Sequence, residues 1–332
     1  MVGMRISYIV PCFNEAEVLP EFYRRVSTVA QRLSAYEFEF IFINDGSYDA
    51  TSDILNSLAA EDERVKVLHL ARNQGHQAAI TAGMDFSMGD VVVIIDADLQ
   101  DPPELITEII GKIQDGYQIV HLQRRTRRGE TGFKLLAAWG FYKLMRWLTG
   151  DNIIENSGDF RAFSRPVLKT VQGFREGHRF MRGIFASLGF RQCVIPYDRD
   201  PRYAGKTKYT FGKMLKLALN AVLSFSSAPI KVISWFAVLA WLISLLYLVK
   251  ALVDHFIFRI TVPGWTSIII LLTFFSGAII FCLGIIASYV GRIFEQGQQR
   301  PLYWLSDVRN IHFDEINKTI REVNLSGNIL GH

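Results

Sequence analysis

Chemistry is concentrated at residues 91–103, VVVIIDADLQDPP, where an apolar run stops at two carboxylates, Asp96 and Asp98, set one residue apart. The five apolar residues before Asp96 predict a strand buried on both faces, as in a parallel sheet. Carboxylates at the carboxyl end of such a strand lie where open α/β sheets bind ligands. They are hard oxygen donors, suited to Mg²⁺ or Mn²⁺ that also holds a diphosphate. Asp101-Pro102-Pro103-Glu104 reads in addition as a helix start, with proline early in the first turn. Asp101 can then serve as the cap and leave the other two aspartates free.

Those carboxylates need a scaffold, and the upstream pattern supplies one. Residues 6–10 predict a short strand closed by Pro11. Residues 15–33 have helical spacing, with Val18, Leu19, Phe22, Val26 and Val29 on one side. Residues 38–43 predict a second strand ending at Asn44-Asp45-Gly46-Ser47, and residues 51–58 a helix. A third strand at 65–70, an alanine-rich helix at 75–88 and the strand at 91–95 follow. Residues 118–122 add a strand that runs into the basic stretch QRRTRR at 123–128. Strands separated by helices of this length imply parallel βαβ units with right-handed crossovers. Their polar ends, Asn14-Glu15, Asn44-Asp45 and Asp96/Asp98, would converge on one sheet edge as a nucleotide crevice. There is no GxGxxG and no GxxxxGK[ST], so neither dinucleotide nor P-loop binding is signalled.

The chain has 332 residues, half of them hydrophobic, and a net charge of +4, too small to argue for nucleic acid. Cys12, Cys193 and Cys282 are too far apart to suggest a disulfide framework or a zinc site. The apolar excess lies beyond residue 213. Residues 232–249 and 265–290 carry no charge, and a span needs about 20 mainly apolar residues. The first reaches that length, to residue 253, with Lys250 snorkelling to an interface. With the short connector at 254–264 they predict a membrane hairpin that leaves both termini on one side. The N-terminus shows no long apolar signal region, and Lys213, Lys216, Lys231, Arg292, Arg300 and Arg309 flank the hairpin. Set against Lys250 and Arg259 in the connector, both features predict cytosolic termini, as expected of a multi-pass inner-membrane protein. Residues 213–225 fit an interfacial amphipathic helix and a packing helix equally well. Gly277, Gly284 and Ser288 permit close helix contact, within the hairpin or in a homo-oligomer.

Four motifs occur in order: Pro11-Cys12-Phe13-Asn14-Glu15, Asn44-Asp45-Gly46-Ser47, Asp96-Ala97-Asp98-Leu99-Gln100-Asp101-Pro102-Pro103-Glu104, and Gly158-Asp159-Phe160-Arg161. Together they resemble the family 2 glycosyltransferases with a GT-A domain. The two spans narrow the resemblance to the polyisoprenyl-phosphate glycosyltransferases, among them bacterial glucosyltransferases, dolichol-phosphate mannose synthases and aminoarabinose transferases. It covers residue 6 to about residue 305. The resemblance implies an α/β fold with a Rossmann-like GT-A nucleotide-sugar domain at residues 1–210. An interfacial helix at 211–230, transmembrane helices at about 232–253 and 266–290 within 231–292, and a cytosolic tail at 293–332 would follow.

The resemblance also implies roles. Pro11, Asn14, Glu15, Asp45 and Asp96 would bind the donor nucleotide, since buried acceptors of base and ribose hydrogens set specificity. Asp96, Asp98 and Gln100 match the family's metal and diphosphate site, Asp98 foremost. Asp159 matches an aspartate on the acceptor side, as base or as orienting group. A lipid phosphate is already ionised near neutral pH and needs little help from a base. Arg124 and Arg127, then Arg161, Arg182, Arg202, Lys206 and Lys208, would meet phosphates or the acceptor. Some of residues 124–128 equally suit a solvated charged face. The implied reaction is inverting transfer of a sugar, glucose from UDP-glucose first, to undecaprenyl phosphate. UDP-4-deoxy-4-formamido-arabinose and GDP-mannose remain alternatives. A processive polysaccharide synthase would carry a QxxRW motif, which is absent, and more spans. A non-catalytic scaffold would not need carboxylates at three strand ends.

Overall fold

The computed structural model describes residues 3–125, 157–177, 179, 181–199, 264–298 and 300–311, with single residues between 235 and 257. The chain forms two compact units, the first comprising Met1–Arg146, Gly150–Thr210 and Pro301–His332, the second Trp147–Thr149 and Phe211–Arg300.

The first unit is built on an eight-stranded sheet among the described residues. Strands β1 (Arg5–Cys12), β2 (Glu37–Asn44), β3 (Val65–Leu70) and β4 (Val91–Ile94) are the four apolar runs, each parallel to its neighbour in the order β4-β1-β2-β3. Helices α1 (Leu19–Arg32), α2 (Thr51–Glu61) and α3 (His76–Asp85) connect them. A 3-10 turn (Pro103–Leu105) and α4 (Ile106–Gln114) follow β4. Alternate residues of β1 and β2, among them Tyr8, Val10, Phe40 and Phe42, share one apolar cluster with α1, α2 and α4, while α3 packs on β1 and β2. Fully burying a side chain such as Phe40 contributes roughly 1.5–3 kcal/mol.

The expected all-parallel sheet is only half of what forms. Strands β5 (Ile119–Arg124), β6 (Ser157–Ser164) and β7 (Gln192–Tyr197) extend the sheet beyond β4, with α5 (Arg165–Gly173) and α6 (Met181–Ser187) between β6 and β7. Strand β6 lies antiparallel between β4 and β5. At the opposite edge β8 (Leu305–Arg309) pairs antiparallel with β3.

Two smaller expectations are corrected. Strand β1 does not stop at Pro11: it continues to Cys12, with Pro11 opposite Ile43. The Ile9 carbonyl accepts from Ile95 on the β4 side, and Pro11, two residues on, presents its missing N–H to that same side, beyond the last β4 pair. Helix α1 begins at Leu19 instead of residue 15 because Asn14 is left-handed (φ 54°) and Pro20 occupies the first turn.

In the second unit, α7 (Trp265–Gly297) runs for 33 residues, about 50 Å at the usual rise. Its segment Phe274–Gly297 is the one helix among the described residues long and apolar enough to cross a membrane. The expected span at 232–253 is described at single residues, including Trp235, Leu239, Leu242 and Leu246, all helical. The expected interfacial helix at 211–230 lies outside the described residues.

Candidate active site

Parallel strands aim their carboxyl ends one way, so the loops after β1, β2, β3 and β4 meet at one edge. The first two are stitched together. The Asn14 amide donates to Ser47 Oγ (3.0 Å), the Tyr48 amide to Asn14 Oδ1 (2.8 Å) and the Glu15 amide to Thr51 Oγ1 (2.9 Å). Asn14 is thus a brace between loops, and its side chain allows the left-handed backbone this takes. Pro11 is buried within β1.

Asp45 links β2 to the turn before α3. Its carboxylate accepts from the Gln74 amide (2.7 Å) and the Gly75 amide (3.0 Å), one on each oxygen. Burial raises this carboxyl above its ordinary value, against the pull of those amides. Gly46 follows at φ +64°, and a Cβ there would stand 2.5 Å from the backbone of Arg72 and Asn73. Only glycine lets the two loops approach this closely. A cavity of about 410 Å³ opens beside them, bounded by Ser47, Tyr48, Arg72 and, from β8, Ser306 and Asp307.

The loop after β4 carries Asp96, Asp98, Gln100 and Asp101. Leu99 is buried in a left-handed conformation (φ 58°), which costs of order 1–3 kcal/mol and reverses the chain between Asp98 and Gln100. The Gln100 amide donates to Asp98 Oδ1 at 3.2 Å. Asp101 is not the helix cap that the sequence suggests, because Pro102 precedes the 3-10 turn and no side chain caps it. Its carboxylate is fully buried instead and accepts from the Tyr197 hydroxyl at 2.5 Å. Arg124 Nη2 lies 3.7 Å from Asp101, and Arg199 bridges Asp101 and Asp98 at 3.5 Å each.

A second cluster joins this loop to β6. His76, first residue of α3, places Nε2 3.6 Å from Asp96 Oδ1 and 3.3 Å from Asp159 Oδ2. Arg182 Nε donates to Asp159 Oδ1 at 3.1 Å. Burial alone would raise the Asp159 carboxyl, but Arg182, His76 and Arg161 outweigh it and hold it well below the usual carboxylate range. Burial would likewise lower His76, yet Asp159 and Asp96 push it up to about 9. Asp96 is pushed up to about 6, by burial first and then by the carboxylates of Asp101, Asp98 and Asp159, with His76 opposing. At neutral pH this is an ionised Asp159 between cations beside a crowded group of carboxylates.

Arg161 is 1% exposed, its Nη2 donating to the Gly158 carbonyl (3.1 Å) and its guanidinium 4.6 Å over the Phe185 ring. Expected to meet a phosphate, Arg161 is enclosed in this structure, with Nη2 3.6 Å from Asp159 Oδ1. Arg124, at the end of β5, reaches Tyr197 and Asp101. A Cβ at Gly158 would stand 2.8 Å from Arg124 Nη2, so a side chain there would push the Arg124 guanidinium aside. Arg127, Arg202, Lys206 and Lys208 lie outside the described residues. The sequence reading missed His76 and Arg199; the glycine-then-histidine start of a helix directly after β3 was the signal available for the first.

The donor chemistry fits a hard divalent cation. Asp96 and Asp98 supply carboxylate oxygens from one loop, and a cation there would offset the burial and the carboxylate repulsion that together lift Asp96. Among the described residues no group of three or more His, Cys, Asp or Glu side chains forms a metal cage. A cation held by this pair would take its other ligands from substrate and water oxygens.

A mixed sheet with carboxylates at its strand ends defines a nucleotide-sugar-binding α/β domain of the GT-A kind. The family model of glycosyl transferase family 2 matches residues 7–172. An uncharacterized glycosyltransferase of Bacillus subtilis (strain 168), YkcC, is 41% identical over 300 residues, covering 90% of this chain and 93% of its own. The bactoprenol glucosyl transferase of Shigella phage SfV is 39% identical over 300 residues, 90% of this chain and 97% of that one. A prophage bactoprenol glucosyl transferase homolog of Escherichia coli (strain K12) is 37% identical over 306 residues, 92% of this chain and 100% of that one. The chain belongs to glycosyl transferase family 2, and it is a glycosyltransferase.

Proposed function

We propose that the protein transfers one sugar, glucose from UDP-glucose, to undecaprenyl phosphate with inversion at the anomeric carbon, on the cytosolic face of the inner membrane. The observation that carries this reading is the similarity to bactoprenol glucosyl transferases along nine-tenths of the chain, the apolar C-terminal helix included. The clustered site supports it. Asp45 and the braced Asn14 loop would hold the nucleoside, and Asp96 with Asp98 would hold Mg²⁺ or Mn²⁺. A divalent ion there neutralises charge on the departing diphosphate.

An oxygen of the lipid phosphate attacks the anomeric carbon as the bond to the nucleoside diphosphate breaks. The attacking oxygen already carries negative charge, so no proton need be removed. Asp159, held ionised and turned towards Arg182 and His76, acts as an orienting group: it fixes Arg182 to receive the acceptor phosphate. Of the two roles open for Asp159, these contacts favour orientation.

Chain connectivity supports the two-span hairpin. Strand β8 belongs to the same sheet as β1, so the chain between Thr210 and Pro301 leaves and re-enters one compartment and crosses any membrane an even number of times. If Phe274–Gly297 is one crossing, residues 232–253 are the partner.

Detergent-purified protein with undecaprenyl phosphate, Mg²⁺ or Mn²⁺ and a panel of nucleotide sugars tests the reading, by mass spectrometry of the lipid. A mono-glucosylated lipid phosphate from UDP-glucose is expected. Product from another donor moves the sugar assignment, and polymer moves the reaction to a processive synthase.

A further inference from the structure

The segment after the membrane helix returns to the nucleotide edge, and its contacts there are specific. Gln74 and Trp304, 230 residues apart, exchange two hydrogen bonds. Gln74 Nε2 donates to the Trp304 carbonyl at 3.1 Å, and the Trp304 amide donates to Gln74 Oε1 at 3.1 Å. The same Trp304 carbonyl accepts from the Ala71 amide at 2.9 Å. The Arg72 guanidinium lies 5.0 Å over the Trp304 ring, and Ser306 Oγ donates to the His69 carbonyl at 3.1 Å. Residues 69–74 are therefore held from outside by 304–306. This is the turn whose Gln74 and Gly75 amides grip Asp45, and Ser306 and Asp307 wall the cavity beside it.

A side chain that receives two backbone bonds from a distant segment fixes its own backbone, and here that backbone is a donor to Asp45. We propose that Gln74 is a positioning residue for the sugar donor, and that the post-membrane segment at 301–310 is a structural part of the nucleoside end of the donor pocket. Gln74 acts through Asp45 and Trp304 through Gln74. The inference rests on the reading of Asp45 as a nucleoside contact. Its physical basis is preorganisation: a turn held in place before the donor arrives loses less freedom on binding.

The test measures UDP affinity by calorimetry, and donor KM and kcat, in the full-length protein and in the variants Gln74→Ala, Gln74→Glu and Asp45→Ala. Gln74→Ala loses both bonds to Trp304 and is expected to raise UDP Kd and donor KM about tenfold, with kcat at saturating donor within about twofold. Gln74→Glu keeps an acceptor for the Trp304 amide but places a carboxylate against its carbonyl, and is expected to be at least as impaired. A purely structural role would lower the melting temperature and leave UDP Kd unchanged. Unchanged Kd in both Gln74 variants, with Asp45→Ala impaired, would overturn this inference and leave the Asp45 reading standing. Unchanged Kd in Asp45→Ala would overturn both.

Discussion

At the residue scale, the site is a balance of charge around two aspartates with different fates. Asp98 is the carboxylate proposed to hold the cation, and its removal leaves the buried Asp101 anchor to Tyr197 in place. Asp98→Ala should lower transfer by about 100-fold or more while the melting temperature holds; activity titrated against Mg²⁺ and Mn²⁺ checks it. His76 stands between Asp96 and Asp159. His76→Ala removes one of the cations that keep Asp159 ionised and frees that carboxylate to turn. Transfer should fall about 10- to 100-fold, with UDP affinity changed less than kcat, as single-turnover kinetics with calorimetry would show. The pairs of carboxylates were legible in sequence because a strand followed by Asp-x-Asp has one physical meaning at a parallel sheet edge. His76 was not, because its role exists only once β6 brings Asp159 alongside, more than 80 residues later in the chain.

At the element scale, β5, β6 and β7 behave as one pack that carries Arg124, Asp159 and Tyr197 to the site. His121 in β5 is buried and paired with Gln192 Oε1 of β7 at 2.8 Å. Burial, with Arg161 nearby, pulls it down to about 4. The unfolded chain therefore takes up this proton first, near pH 6.5, so stability falls as pH drops from about 6.5 towards 4. The loss from this group approaches roughly 3 kcal/mol at the low end. Denaturant midpoints of wild type and His121→Gln across that window should diverge, wild type showing the steeper decline. Gly158→Ala should displace the Arg124 guanidinium, the tip of a flexible side chain, and reduce transfer with a melting temperature close to wild type, as activity assays with thermal denaturation would show. The apolar strands β1 to β4 were legible from composition alone, since burial on both faces demands it. Strands β6 and β8 were not. SGDFRAFS carries a buried arginine and an aspartate, and LSDVR has only two apolar residues at an exposed edge, so neither shows the hydrophobic run that marked the others.

At the scale of the whole molecule, connectivity sets topology. A cysteine in place of Gly264, in the connector, should react with a membrane-impermeant maleimide added outside spheroplasts. One in place of Asn310, just after β8, should react only after permeabilisation. Labelling of both from outside would put them on one side and contradict a crossing by α7, which lies between them.

Strand β8 also sets an order of events during synthesis. Strand β3 leaves the ribosome early, yet its partner is made only after the long apolar segment. Until residue 309 emerges, β3 presents a bare row of amides and carbonyls of the kind that recruits other chains. Once β8 lies there, its Asp307–Arg309 ion pair at 2.7 Å faces outward in its place, a charged selvedge on the finished sheet. The long apolar segment is therefore synthesised before the sheet is sealed, and a chain halted at about residue 300 carries an open seam prone to aggregation.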